Sequence, residues 1–317
     1  MEHQKNMTRK ILSEYGIYFV FLIIFAVLSC LNSAFLTATN LINILKQAAT
    51  VSVVAIGMTF ALISGGLDLS AGSVIALAGV CSAKFGLPDG PFIAIPILVA
   101  VSVGASCGLV NGLVIAKGGV PPFIVTLGMS LVARGMALLV TNAMPVFGLS
   151  KEYVYLGSGK IGSIPVIVLV MIALLIIATV VLEKTKFGRH VYAVGGNELS
   201  AHVSGIRTDR VKIMTYVIVG MMTGICGMLL AGRIQSGTPT MGEGYELDAI
   251  AGAVIGGVSS SGGVGKVYGA VIGSLLLAVI SNGLDLLNVS AYYQQIIKGV
   301  IIVSAVLIDV KTKGVKR

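Results

Sequence analysis

The chain has 317 residues, of which 56% are apolar and only 11% are charged, and it contains no Trp. With a mean hydropathy of +0.98, this composition lies far outside the range of water-soluble domains and excludes a soluble fold. The net charge of +9 at pH 7 is explained by membrane topology and attraction to anionic lipid headgroups, so it gives no reason to expect a nucleic-acid partner.

Ten apolar stretches follow one another along the chain, and about 20 apolar residues are enough for a helix to cross the hydrocarbon core of a bilayer. They lie at about residues 16–36, 42–64, 70–86, 92–116, 122–142, 163–183, 211–232, 247–258, 267–287 and 291–309. The eighth is too short for a full span at about 1.5 Å per residue, so it is either extended by its flanks or a half-helix. We therefore predict an all-α integral membrane protein with about ten transmembrane helices, forming one transmembrane domain over residues 1–317.

The distribution of basic residues predicts how this protein sits in the membrane. An even number of spans places both termini on the same side. Most of the 22 Lys and Arg residues then fall in segments on the side of the termini. Because cytoplasmic segments are enriched in Lys and Arg, we expect the N and C termini to be cytoplasmic.

An internal repeat relates the two halves of the chain. Residues 67–75 read LDLSAGSVI and residues 247–255 read LDAIAGAVI, a displacement of 180 positions. A second pair, Asn111 and Asn282, is followed in each case by Gly-Leu. Because the two repeated patterns occur in the same order in both halves, they predict that spans 2–5 match spans 7–10 in two inverted repeats. This architecture is typical of transporters.

The repeat marks candidate residues along a transport pathway: Asp68, Ser70, Asn111, Asp248 and Asn282. A carboxylate inside a membrane is costly, which makes Asp68 and Asp248 functional candidates. An Asp at the start of a helix also caps free backbone N–H groups, and for Asp68 this structural role is the favoured interpretation.

Three basic residues, Lys46, Arg134 and Lys298, fall within predicted spans. A charge at this depth must face protein, water or a partner charge, unless its side chain extends to the membrane surface. The sequence does not choose between these arrangements.

The longest polar stretch, about residues 183–212, has its basic residues on either side of residues 194–201, VGGNELSA. It is interpreted either as a docking surface or as an ordinary cytoplasmic loop, which would be basic in any case. Residues 259–267, SSSGGVGKV, end in Gly-Lys but depart from the P-loop pattern at Ser260 and Val267, and we interpret them as a cytoplasmic turn. The three His residues lack metal-ligand spacing and no set of catalytic residues stands out, so an enzyme is not indicated.

Three segments carry a resemblance to a known family: residues 65–73 (GGLDLSAGS), 121–128 (PPFIVTLG) and 188–197 (GRHVYAVGGN). In this order they resemble the ribose-type sugar permeases of bacterial ATP-binding cassette importers, which include carriers of ribose, xylose, galactose and autoinducer-2. The resemblance extends from about Thr39 to Asp309.

This resemblance implies a multi-pass permease subunit in the bacterial cell membrane that moves a monosaccharide, with ribose or a similar pentose or hexose as the leading candidate. It also implies a permease homodimer, a separate cytoplasmic ATPase subunit that uses ATP and Mg²⁺, and an extracytoplasmic sugar-binding protein, with no cofactor bound by this chain. The loop that couples the permease to the ATPase would contain Gly195, Gly196, Asn197, Glu198, Ser200, Ala201 and Gly205. Leu199 and Ser200 stand where the general permease loop has Glu and Ala.

Two other kinds of protein remain as alternatives. A stand-alone secondary transporter or channel can also contain inverted repeats, but it would function without an ATPase. A membrane enzyme would need converging catalytic groups.

Overall fold

The computed structural model describes residue 19 and residues 21–314 of the chain. Within this part the protein is helical apart from one small hairpin. The helices are α1 (Phe21–Leu31), α2 (Ala38–Ile63), α3 (Ala71–Phe85), α4 (Ala94–Gly118), α5 (Pro122–Thr141), α6 (Lys151–Ser158), α7 (Val166–Lys184), α8 (Lys186–Gly196), α9 (Glu198–Val203), α10 (Thr208–Ile234), α11 (Tyr245–Ile255), α12 (Val267–Leu286) and α13 (Ala291–Gly314). Strands β1 (Lys160–Ile161) and β2 (Ile164–Pro165) pair antiparallel between α6 and α7.

The prediction of about ten transmembrane helices is wrong. Among the described residues, six helices are long and apolar enough to cross a membrane: α2, α4, α5, α7, α10 and α12. Helices α3 and α11 have 15 and 11 residues, and at about 1.5 Å per residue neither spans a hydrocarbon core of about 30 Å. Both begin after a glycine with positive φ, Gly65 before α3 and Gly244 before α11, where the backbone leaves the helical path.

The first and last predicted spans are also not among the six helices that are long and apolar enough to cross a membrane. Helix α1 covers Phe21–Leu31, while residues 16–18 and 20 of that predicted span lie outside the described residues. Helix α13 carries Gln294, Gln295 and Lys298 within its first turns, and it is not among the six apolar spans. The predicted inverted repeats, spans 2–5 and spans 7–10, depended on the count of ten spans. The placement of both termini on one side depended on the same count, so neither prediction holds.

Helices α2 and α10 form the centre of the bundle, with 67% of the apolar stretch of each buried inside the protein, against 17% for α5. The outer helices instead direct large apolar side chains outward, for example Leu131 and Leu139 of α5. Outward apolar surface of this kind suits hydrocarbon as its surroundings.

Helix α10 packs against α4 backbone to backbone. A Cβ atom added to Gly104 would collide with the carbonyl oxygen of Gly220, and one added to Gly220 would collide with the carbonyl oxygen of Gly104. Gly108 and Gly224 lie equally close to the facing helix. Small residues that let two helix backbones approach are typical of membrane helix pairs. Here they fix α10, whose first residues belong to the polar segment at 183–212, to the bundle.

Candidate functional site

The polar segment at 183–212 folds as two short helices, α8 and α9, each begun by a side-chain cap. The Thr185 hydroxyl accepts from the backbone N–H of Gly188 at 3.2 Å, and Asn197 accepts from that of Ser200 at 2.8 Å. Both arrangements are ordinary N-caps, which satisfy N–H groups that have no partner within the helix. Asn197 therefore ends α8 and starts α9, so the two helices are joined by a single ordered residue.

Helix α9 ends at a turn built on Gly205, whose φ is +84°. The N–H of Gly205 donates to the carbonyl of His202 at 2.9 Å, and that of Ile206 donates to the carbonyl of Ala201 at 3.1 Å. A positive φ is easily adopted by Gly alone among the common residues, so this turn depends on Gly at 205. Ala201 is buried and holds the inner face of α9 against the protein.

The outer face of α9 is apolar and uncovered. Leu199 and Val203, spaced four residues apart and so on one face of the helix, are 74% and 80% exposed. They lie in a segment rich in Lys, Arg and His rather than on the outward face of an apolar span. Sequence reasoning missed this pair, although its spacing within a polar stretch was a readable signal.

An ion pair ties the start of α9 to α10. The carboxylate of Glu198 lies 2.5 Å from Nζ of Lys212, and the two side chains are 48% and 22% exposed. Glu198 also lies in the first turn of α9, where a negative charge complements the helix dipole. The predicted loop residues Asn197, Glu198, Ser200, Ala201 and Gly205 thus form one ordered structure.

The end of α8 is bound to the rest of the bundle. The Tyr192 hydroxyl donates to the carbonyl of Gly265 at 2.7 Å. Burial raises the pKa of this hydroxyl above its usual value, and the nearby Glu183 carboxylate raises it further. The group therefore stays protonated and able to donate. Gly195 lies against the last carbonyl of α2, while Gly196 has open space around it.

A cavity of about 610 Å³ lies between this segment and the bundle. Its wall is formed by the end of α2, the α4–α5 connection, the α8–α9 junction and α10, including Gly65, Gly66, Pro121, Pro122, Asn197, Glu198, Lys212 and Tyr216. The Tyr216 hydroxyl donates to the carbonyl of Leu67 at 3.2 Å. The cavity therefore ends beside the segment that carries Asp68.

Asp68, Ser70 and Asn111 form a buried polar cluster at the beginning of α3. One Asp68 carboxylate oxygen accepts from the Ser70 backbone N–H at 2.8 Å and from the Ser70 hydroxyl at 2.5 Å. The Asn111 amide nitrogen donates to Ser70 at 3.1 Å and, at 3.5 Å, to the other Asp68 oxygen. Asp68 is 2% exposed and Asn111 is fully buried, and the Asn111 carbonyl oxygen has no hydrogen-bond partner.

The corresponding residues of the sequence repeat make different contacts. Asp248 forms an ion pair with Lys298 at 2.9 Å, whereas the side chains of Asn282 and Asn40 exchange hydrogen bonds at 2.9 and 2.8 Å. The structure therefore brings Asn111 to Asp68 but does not bring Asn282 to Asp248 in the same way.

Two of the three basic residues in predicted spans, Arg134 and Lys298, face protein groups. Lys298 pairs with Asp248 as described. Arg134 donates to the carbonyls of Pro239 at 2.6 Å and Met241 at 3.2 Å, in the connection between α10 and α11. Hydrogen bonding to protein is how a guanidinium group is accommodated at this depth. Among the described residues, no group of three or more His, Cys, Asp or Glu side chains could hold a metal ion.

The sequence is similar to known transport permeases over almost the whole chain. Residues 40–306 match the profile of the family described as branched-chain amino acid transport system / permease component. The chain is 41% identical to the ribose import permease protein of Bacillus subtilis (strain 168), with 95% of this chain and 94% of that protein aligned. It is 40% identical to the galactose/methyl galactoside import permease protein of Haemophilus influenzae, with 96% of each aligned. It is 36% identical to the D-allose transport system permease protein of Escherichia coli (strain K12), with 93% and 91% aligned. No solved structure matches the chain.

Proposed function

Because the chain belongs to the family of branched-chain amino acid transport system permease components, we propose that it is the permease subunit of an ATP-driven importer that carries a monosaccharide into the cytoplasm. Its family and its six apolar helices make it a multi-pass protein of the bacterial inner membrane. Energy would come from ATP and Mg²⁺ in a separate ATPase subunit, with no cofactor bound by this chain.

The choice of a sugar over an amino acid follows from the relatives. The family description names branched-chain amino acids, but the full-length relatives at 36–41% identity are named for ribose, galactose or methyl galactoside, and D-allose. Similarity over whole chains at this level bears more closely on the substrate than a description that covers a wide family. Ribose is the first sugar to test, since two ribose permeases, from Bacillus subtilis and Escherichia coli, are 41% and 39% identical to this chain.

The observation that carries the proposal is the apolar pair on α9. Leu199 and Val203 are 74% and 80% exposed on a helix surrounded by basic residues, where lipid contact does not explain them. A short helix with an uncovered apolar face is suited to insert into a cleft on another protein, whose closure then moves the helices behind it. The ATPase subunit is the partner that an importer requires at this place.

Charge places this end of the bundle in the cytoplasm. The segment around α8 and α9 contains Lys184, Lys186, Arg189, Arg207 and Arg210. Segments close to membrane spans that are rich in Lys and Arg remain on the cytoplasmic side. The opposite end, with α6 and the β1–β2 hairpin, then faces outward, where the sugar-binding protein would deliver its ligand to a permease homodimer.

The buried cluster at Asp68 shapes the pathway rather than binding the sugar. Its carboxylate is occupied by Ser70 and Asn111, and it holds the connection between α2 and α3, in which Gly65 and Gly66 line the cavity. The corresponding roles of Asp248 and Asn282 stay predictions, because their partners, Lys298 and Asn40, belong to other parts of the bundle.

Co-purification tests this proposal. The tagged wild-type chain should retain its ATPase subunit, and the double variant Leu199→Asp/Val203→Asp should lose it, since two carboxylates cannot be buried in an apolar cleft without a large cost. The matched control is Phe147→Asp, because Phe147 is 67% exposed beyond the opposite end of α5. A wild-type chain that retains no ATPase subunit, yet takes up sugar, would instead identify a secondary transporter.

A further inference from the structure

The connection between α11 and α12, residues 259–265, is a compact turn that we call the Ser-Gly loop. The backbone N–H of Ser259 donates to the carbonyl of Val264 at 2.8 Å, and that of Gly262 donates to the carbonyl of Ser259 at 3.3 Å. Gly262 and Gly263 have φ values of +87° and +73°. Two successive residues with positive φ fix the path of this loop and require glycine.

The Ser-Gly loop is attached to two other elements by hydrogen bonds. The N–H of Gly263 donates to the carbonyl of Ile63 at 2.8 Å. Ile63 is the last residue of α2, and the carbonyls of the last helical turn have no partner within their own helix. The Tyr192 hydroxyl of α8 donates to the carbonyl of Gly265 at 2.7 Å. The loop therefore joins the end of α2 to α8.

Gly195 closes the same junction from the side of α8. A Cβ atom at this position would collide with the carbonyl oxygen of Ile63 and lie 2.8 Å from the backbone nitrogen of Gly263. In the other direction, a Cβ atom on Gly262 would lie 2.6 Å from the carbonyl oxygen of Gly195. These contacts are between backbone atoms, so no flexible side chain can take up a displacement of one element relative to another.

Building on the proposed function, we propose that the Ser-Gly loop is a second transmission element of the importer. When the ATPase subunit moves α9, α8 moves with it, because only Asn197 joins the two helices. The junction of Gly195, Ile63 and Gly263 then delivers this displacement to α2 and, through the Ser-Gly loop, to α11 and α12. Gly195 and Tyr192 act as positioning residues that couple ATP hydrolysis to sugar movement without contacting the sugar.

The test uses the complete complex of permease, ATPase subunit and binding protein in liposomes, with ATP hydrolysis and ribose uptake measured in the same preparation. Gly195→Ala should retain the ATPase subunit and hydrolyse ATP, while ribose moved per ATP falls by about tenfold or more, because a backbone collision displaces the junction. Tyr192→Phe removes one hydrogen bond and should lower the same ratio by about fivefold. The control is Gly118→Ala at the end of α4, where a Cβ atom meets only side-chain atoms at 3.7 and 3.8 Å.

The outcomes separate this inference from the function on which it rests. If the wild-type complex shows no ATP-dependent ribose uptake, the proposed function itself fails. If wild type is active and Gly195→Ala moves as much ribose per ATP as Gly118→Ala, the Ser-Gly loop does not transmit the motion. If Gly195→Ala fails to assemble, Tyr192→Phe decides: a lowered ratio of ribose to ATP supports the inference, and an unchanged ratio overturns it.

Discussion

Removing the carboxylate of Asp68 should destabilise the permease strongly, whereas neutralising it should not. In Asp68→Ala, the backbone N–H and the hydroxyl of Ser70 lose their acceptor, and the Asn111 amide loses one of its two acceptors. The cluster is closed to water, since Asp68 is 2% exposed and Asn111 is fully buried. Solvent therefore cannot replace the lost partners.

Each buried polar group left without a partner costs about 1–3 kcal/mol, so losing the acceptor of both Ser70 donors should cost about 3–5 kcal/mol. At about 2 °C per kcal/mol for a large domain, the unfolding midpoint should fall by about 6–10 °C. Asp68→Asn keeps an oxygen acceptor for both Ser70 donors and gives up only the 3.5 Å hydrogen bond from Asn111. It should therefore lower the midpoint by about 2 °C or less and preserve ribose uptake.

A thiol-reactive fluorophore measures this effect in detergent, where the absence of Trp from the sequence rules out the usual intrinsic fluorescence assay. Cys30 is exposed and Cys81 and Cys107 are partly exposed, so all three are first replaced by Ala. The remaining thiol, Cys226, is fully buried and becomes reactive only when the bundle opens. Asp89→Ala, at an exposed Asp in the connection between α3 and α4, is the matched control. An Asp68→Ala midpoint equal to that of the control would refute the reasoning. Loss of uptake by a stable Asp68→Asn variant would show instead that the charge itself serves transport.

Three further substitutions test the packing and the polar contacts of the bundle. Gly104→Ala should lower the yield of monodisperse protein after size-exclusion chromatography, because its Cβ atom meets a backbone carbonyl of α10 in the middle of a packed helix pair. Gly135→Ala, with open space around its Cβ atom, should leave that yield unchanged, and equal yields for the two variants would contradict the packing argument. Arg134→Met should lower stability by about 2 kcal/mol in the same thiol assay, since two carbonyls after α10 lose their donor; an unchanged midpoint would contradict this. Lys212→Met should cost only about 0.5 kcal/mol, because the Glu198 side chain of the ion pair is about half exposed and solvent weakens the attraction, and the effect should shrink in high salt.

Apolar length predicted the long helices closely and the short ones poorly. The predicted spans at 122–142 and 267–287 correspond to Pro122–Thr141 and Val267–Leu286, because nothing within them interrupts an apolar helix. The predicted span at 70–86 is not a full crossing, and the short stretch at 247–258 is the 11-residue helix α11, which corresponds to its half-helix alternative. The number of apolar residues in these stretches does not reveal that the backbone changes direction before the helix begins. It does so at glycines with positive φ, such as Gly65 and Gly244.

The candidate site was predictable where it depended on local sequence. The Gly205 turn and the Asn197 cap obey short-range rules and the structure contains both, although from the sequence alone the two residues are predicted only to share a loop. The contact between Asp68 and Asn111 joins residues 43 positions apart, and no periodicity indicates it. The repeat suggested that Asn282 would mirror Asn111, but Asn282 pairs with Asn40, because each side chain finds its partner in tertiary packing rather than in sequence order.

Uptake of labelled ribose into liposomes tests the central claim most directly. The liposomes would contain the wild-type chain with or without its ATPase subunit, with the binding protein on the side of α6 and ATP and Mg²⁺ on the side of α9. The account predicts accumulation against a gradient when the ATPase subunit and ATP are both present, and none when either is left out. Ribose uptake by the permease chain alone would contradict it.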